Sequence, residues 1–395
     1  MTSQETRDFD LVLFGATSFV GKTTAAYLIE QHPQLRIAFA GRDEHKLQAL
    51  CKDIGADSIP LIIADATDKP KLDELTARTK VVISTVGPYT RYGDMLVDAC
   101  AEHNTHYVDL CGEALFIRRI IDCWHGRTNA KIVPSCGFDS VPSDMGLFHL
   151  HQKSGKQFDA VTMAVEDLRG GLSGGTVDSM REVSADAKRM PHGGAILHSP
   201  YSLSPDHKQE PDLGPQPDFE VHFDQLIRQW TGPFFMAMFN TRVVRRSNTL
   251  QDYAYGSHLR YREVMPTGTG LAGMLKARAL DTAVKLGFAA VMTDSLRKPL
   301  KAIFPVAGEG PKDINKGGFS ITHYGRATDG SLHSARVQAE GDPGYKVTAM
   351  MLAEAAVLLA AHPEDLPQRS GVLTPATALG SAYVEALHRN GMRFS

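Results

Sequence analysis

The chain has 395 residues, 43% of them hydrophobic and 22% charged, with a formal net charge of −3. That length exceeds one ordinary core and predicts two domains. A charge so near balance gives no electrostatic basis for a nucleic-acid partner.

Residues 1–9 are polar and lack the apolar core of a targeting segment. From there to about residue 133, short apolar runs alternate with amphipathic stretches. The expected strands are Phe9–Phe14, Leu35–Ala40, Leu61–Ile63, Val81–Ser84, His106–Val108 and Lys131–Val133. Helices are expected over Phe19–Gln31, Glu44–Ile54, Lys71–Arg78, Gly93–Glu102 and Glu113–Trp124, with Asp43 as an N-cap. Continuous apolar strands alternating with helices predict a parallel sheet covered on both faces.

After Gly146 the pattern changes. Strands are expected at Phe158–Glu166, Phe219–Phe223, Asn240–Val244, Tyr253–Glu263, Gly318–Ala327 and His333–Glu340, with few helices between them. This predicts a mixed or antiparallel sheet. Ser199–Pro217 carries five prolines and is expected to be a linker or lid. Leu271–Lys301 reads as a basic amphipathic helix that can lie on lipid, cover a greasy pocket, or pack as an ordinary surface helix. Tyr345–Ala361 is a further helix, and Gly371–Ser395 a loop followed by one short helix. No window supplies the roughly 18 uncharged apolar residues of a bilayer span. Five cysteines form no CxxC pair and leave one over in any pairing, which fits free thiols in a reducing, cytoplasmic setting. Cys123-Trp-His125 lacks a second ligand pair, so no metal is expected.

The first strand runs into Gly15-Ala16-Thr17-Ser18-Phe19-Val20-Gly21 and then a helix. Backbone N–H groups at a helix N-terminus, with glycine keeping side chains away, suit a dinucleotide pyrophosphate. The expected fold is therefore α/β. A doubly wound, Rossmann-type parallel sheet occupies residues 1–150 and an α+β substrate or dimerisation domain residues 151–345. A C-terminal helix and tail, 346–395, is expected to pack back on the first. Ser18 stands where many such loops have glycine, and its hydroxyl is expected to reach a phosphate oxygen. Arg42 ends the second strand, 21 residues past Gly21, where an acid would select NAD. A forked cation there suits the 2′-phosphate of NADP. Asp65 is expected at the adenine. Ser84, Val86, Gly87 and Pro88 are expected along the cofactor, with Tyr89 aimed at the nicotinamide or its substrate.

Val86-Gly-Pro-Tyr89, Tyr107-Val-Asp-Leu-Cys-Gly-Glu113 and Pro134-Ser-Cys-Gly-Phe-Asp-Ser-Val-Pro-Ser-Asp144 resemble the saccharopine dehydrogenase-like oxidoreductases, and within them the trans-acting enoyl reductases. The likeness continues through Ser173-Gly-Gly-Thr176, Gly308-Glu-Gly-Pro311, Gly341-Asp-Pro-Gly-Tyr345 and Gly371-Val-Leu-Thr-Pro375. It implies an NADP(H)-dependent enzyme that reduces a C=C bond of a hydrophobic enoyl or polyketide thioester, carrier-bound or free.

Hydride transfer needs a proton source and a stabiliser of developing charge. The catalytic candidates are Tyr89 and Tyr345; Cys136 and Asp139 are placed by motif position at the substrate, with Cys136 packing near the cofactor. Ser173, Gly174, Gly175 and Thr176, and the loop before Tyr345, are read as substrate- or anion-binding turns or as plain capped helix starts. Two alternatives stay open: a C–N oxidoreductase holding carboxylates through Arg169, Arg181 and Arg189, and a non-catalytic NADP-binding adaptor at a lipid surface. A homodimer through the second sheet and peripheral membrane contact through 271–301 are the further expectations.

Overall fold

The computed structural model describes residues 7–170, 174–293 and 310–395. In chain order its first part comprises β1 (Phe9–Phe14), α1 (Phe19–Gln31), β2 (Ile37–Gly41), α2 (Glu44–Asp53), β3 (Leu61–Ile63), α3 (Lys69–Ala77) and β4 (Thr79–Ser84). There follow α4 (Tyr89–Tyr92), α5 (Asp94–Glu102), β5 (His106–Asp109), α6 (Ala114–Trp124), β6 (Lys131–Val133) and α7 (Val141–Ser154). The remainder comprises β7 (Phe158–Arg169), α8 (Gly174–Arg189), α9 (Gly193–His198), β8 (His222–Asp224), β9 (Gln229–Pro233), α10 (Ala237–Leu250), β10 (Arg260–Gly268) and α11 (Gly270–Met292). Last come β11 (Gly318–Ala327), β12 (Leu332–Glu340), α12 (Thr348–Ala361), β13 (Gly371–Val372), α13 (Pro375–Arg389) and β14 (Arg393–Phe394).

The apolar runs of the first part pair in the order β3-β2-β1-β4-β5-β6-β13, every neighbour parallel. Burial of β1 from Asp10 to Phe14 shows why the run is continuous rather than alternating: helices cover both faces. The order reverses between β1 and β4, so their carboxyl ends open a crevice where ligands bind such sheets. The second sheet has the order β14-β12-β11-β7-β10-β9-β8 and is mixed, β7 and β10 running parallel and the other neighbours antiparallel. The chain end serves both sheets: β13 extends the first beside β6, and β14 the second beside β12.

Helix α12 packs on α1, β1, β4 and β5 as a core helix. Pro343–Ala361 has the length and mean hydropathy of a membrane span, but 83% of that window is buried inside the fold. Two expected strands are corrected. Asn240–Val244 lies within α10, because burial of nearly every turn overrides the strand preference of Thr241, Val243 and Val244. Tyr253–Glu263 becomes strand only at Arg260, since Asp252 and Tyr253 take positive φ in a turn.

The proline-rich segment Ser199–Pro217 is irregular, as expected, but it is a fastened strap, and none of its residues lines the main cavity. Arg118 donates to the carbonyls of Ser202 and Ser204, Arg245 to that of Pro200, and Arg246 to those of Leu203 and Val372. Burial pulls the Arg246 guanidinium down to about 9. Arg246→Met removes both donations from a buried site and strands two carbonyls. A stability loss of about 2–4 kcal/mol is expected in urea unfolding.

Candidate active site

The glycine turn is fixed by close approach. A Cβ on Gly21 would lie 2.4 Å from the Gly15 carbonyl oxygen, and one on Gly15, at φ +87°, would lie 2.6 Å from the Val86 side chain. Ser18 caps α1: its Oγ accepts from the Gly21 N–H at 2.9 Å and donates to Thr85 Oγ1 at 3.0 Å. Thr85 in turn donates to the Gly15 carbonyl. This corrects the expectation that the Ser18 hydroxyl serves a phosphate; it holds the turn against the end of β4 instead. The first-turn amides of Phe19 and Val20 take no partner from the described residues. Two free N–H groups at a helix start, beside a turn no Cβ can enter, fit a pyrophosphate. Buried Ala16 and half-buried Thr17 complete the loop.

Arg42 is exposed just after β2. Asp65 accepts from Thr67 N and Oγ1, and these bonds together with the Arg42 charge hold its carboxyl below the usual value. Arg42 and Asp65 therefore stand together beyond the loop, off the main cavity wall.

Ser84 ends β4 fully buried, followed by half-buried Val86 and by Gly87 and Pro88 on the cavity wall. Tyr89 lines the cavity with its ring, but its hydroxyl turns inward, donating to the Ser84 carbonyl and accepting from Leu110 N–H. Burial pushes that phenol well above its usual value. A hydroxyl so committed is a strut, which corrects its reading as a proton donor. Buried Glu113 accepts from Tyr89 N–H and Thr90 N–H and from Ser179 Oγ of α8, tying that helix to the sheet edge.

Cys136 is fully buried, off the cavity, donates to the Val133 carbonyl, and has its thiol pushed up by burial. That corrects its placement at the substrate. Asp139 behaves differently. It lines the cavity with Oδ2 against Gly112, finds no partner among the described residues, and is lifted to about 6 by burial alone.

Tyr345 also lines the cavity, its ring edge-on to Phe19 at 4.7 Å between centroids. The loop before it is not an anion cradle: Asp342 already accepts from the N–H groups of Gly344 and Tyr345. Gly174 begins α8 and Gly175 lines the cavity, as part of a helix start. Thr176 lies in that helix, and Ser173 falls outside the described residues.

These elements enclose a cavity of about 830 Å³. It begins at Ser18, Phe19 and Val20 and continues between α8, α10 and the far end of α11. Met180, Val183, Phe235, Met236, Phe239 and Phe288 form its apolar walls. Asn240 on the wall is satisfied by Glu263 and Ser143 behind it. Sequence reasoning missed Thr85, Glu113 and the α8 face. The Met- and Phe-rich run 234–239 puts Phe235, Met236, Met238 and Phe239 on the wall.

Residues 11–139 match the saccharopine dehydrogenase NADP-binding domain. A Mycobacterium tuberculosis relative bearing a provisional trans-acting enoyl reductase name is 42% identical over 98% of this chain and 97% of its own. The trans-acting enoyl reductase of Mycobacterium ulcerans is 38% identical over 99% and 98%. The chain belongs to the trans-acting enoyl reductase family. Its fold is that of Saccharomyces cerevisiae saccharopine dehydrogenase (L-Glu forming), at a TM-score of 0.51 with 12% identity over 98% of this chain and 99% of the other. As a member of the enoyl reductase family it is an NADP-dependent oxidoreductase. Arg42 is exposed just past β2, with its charge beside Asp65. Arg42→Asp is expected to weaken NADPH binding about ten- to a hundredfold with NADH little changed, by fluorescence titration. Equal losses for both cofactors would remove Arg42 as the selector.

Proposed function

We propose that the chain reduces the carbon–carbon double bond of a hydrophobic enoyl thioester, free or presented on a carrier. The observation that carries this reading is the cavity: one space joins the glycine turn to walls of Phe and Met. An amino-acid adduct would need cations for its carboxylates. Arg169 is exposed and paired with Asp167 and Glu340, neither it, Arg181 nor Arg189 lines the cavity, and among the described residues Lys188 is the one lysine or arginine on its wall.

The Phe19 and Val20 amides would hold the phosphates of NADPH and Arg42 its 2′-phosphate. When bound, NADPH would supply a hydride for the β-carbon of the enoyl group. The π electrons shift toward the thioester carbonyl, and the α-carbon takes a proton from the carboxyl of Asp139, giving the saturated thioester. Asp139 is reprotonated from solvent. The apolar walls exclude water and hold the acyl chain. The test is NADPH absorbance with purified protein against enoyl thioesters and, separately, keto-acid and amine pairs. Consumption with the first set is expected. Consumption only with the second would overturn the reading in favour of C–N chemistry, and binding without turnover on either would favour an adaptor.

A further inference from the structure

Helix α11 has two apolar faces, and only one of them is spent on the fold. Gly273, Ala277, Ala290 and Val291 are buried, and Phe288 lines the cavity. Among the described residues seven large apolar side chains are exposed. Four stand on this helix: Leu271 at 68%, Leu275 at 57%, Leu286 at 65% and Met292 at 42%.

At about 100° per residue, Leu271, Leu275 and Leu286 fall with exposed Ala272, Ala279, Ala283 and Ala289 on one outward arc of about 120°, which buried Ala290 interrupts near the helix end. The only polar side chain within it is Thr282, whose hydroxyl donates to the Arg278 carbonyl and so needs no water. Cations bound the arc on both edges, Arg278 and Lys285 on one and Lys276 on the other. Asp281 is the sole acid on the helix and is paired with Lys285 at 2.7 Å. Met292 is both exposed and on the cavity wall, but it lies about 60° outside the arc, beyond Arg278 and Lys285.

We infer that α11 seats the protein on a lipid surface bearing anionic headgroups. The leucines enter the acyl boundary, and the flanking cations meet the headgroups. A second copy of the chain is a poorer occupant, because a two-fold pairing of this face sets cationic edge against cationic edge. This placement rests on the geometry of α11 and stands whether or not the enoyl reading holds.

The test is co-sedimentation of the full chain with vesicles of equimolar phosphatidylglycerol and phosphatidylcholine, and with phosphatidylcholine alone. Binding is expected to the anionic vesicles, weakening as salt is raised. Leu275→Glu with Leu286→Glu is expected to reduce partitioning by about tenfold or more, with NADPH affinity unchanged as the control for folding. Equal partitioning of variant and wild type, or no binding by the wild type, would overturn the inference. A dimer in light scattering that the same substitutions dissociate would do so as well, by giving the face to a second copy.

Discussion

Asp139→Asn is expected to lower kcat for enoyl reduction by about two to four orders of magnitude, with NADPH affinity unchanged. The reason is the isolation of the carboxyl. It stands on the cavity wall with no hydrogen-bond or ion partner among the described residues, and burial lifts it to about 6. Desolvation disfavours the charged form, so the proton is held below about pH 6 and released above it. An acid with that value gives a kcat that is level below about pH 6 and falls about tenfold per unit above it, and the Asn variant should lose this limb. A rate that instead rises through the same range would make Asp139 a base. Tyr89→Phe supplies the contrast. Its hydroxyl bonds only backbone groups, so its loss should act mainly on stability, by about 1 kcal/mol.

Gly21→Ala is expected to weaken NADPH binding about a hundredfold or more and to lower stability by about 1–3 kcal/mol. The added methyl would sit 2.4 Å from the Gly15 carbonyl, and both partners are backbone, so no side-chain rotation relieves the overlap. Relief requires moving the start of α1, and with it the Phe19 and Val20 amides. Gly87→Ala is the control: its Cβ would meet only the Tyr89 ring, at 3.7 Å, an ordinary contact. Titration and thermal melting of the two variants should therefore diverge. Similar behaviour would mean that the turn is not the cofactor's anchor.

The doubly wound sheet was legible through its first six strands, each a short apolar run closed by a helix signal, with Gly15–Gly21 directly after the first; its seventh, β13, lies in a stretch expected to be loop. Burial on both faces left little ambiguity of register. The second sheet was only partly legible. The Thr-Arg-Val-Val stretch at 241–244 has strand propensity but is helical, and its neighbours Arg245 and Arg246 are buried donors to a distant strap. Nothing local announces that use of arginine. The same limit applies to the site. The spacing of Arg42 and the position of Ser18 were readable, but the cap that consumes the Ser18 hydroxyl depends on Thr85, 67 residues away. Asp139 and Cys136 stand three apart in one motif. Tertiary placement alone puts one on the cavity wall and the other behind it. Helix α11 showed its basic amphipathic character in sequence, but which of its two apolar faces stays open is a fact of packing.

The most direct measurement follows the hydride. NADPH carrying deuterium at the reactive carbon of its nicotinamide is mixed with the protein and a long-chain 2-enoyl thioester, and the product is read by mass spectrometry. One deuterium at the β-carbon of a saturated thioester is the expected result. Deuterium retained by the nucleotide in the presence of the enoyl thioester, with label appearing instead in an amine formed from keto acid and amine, would contradict it.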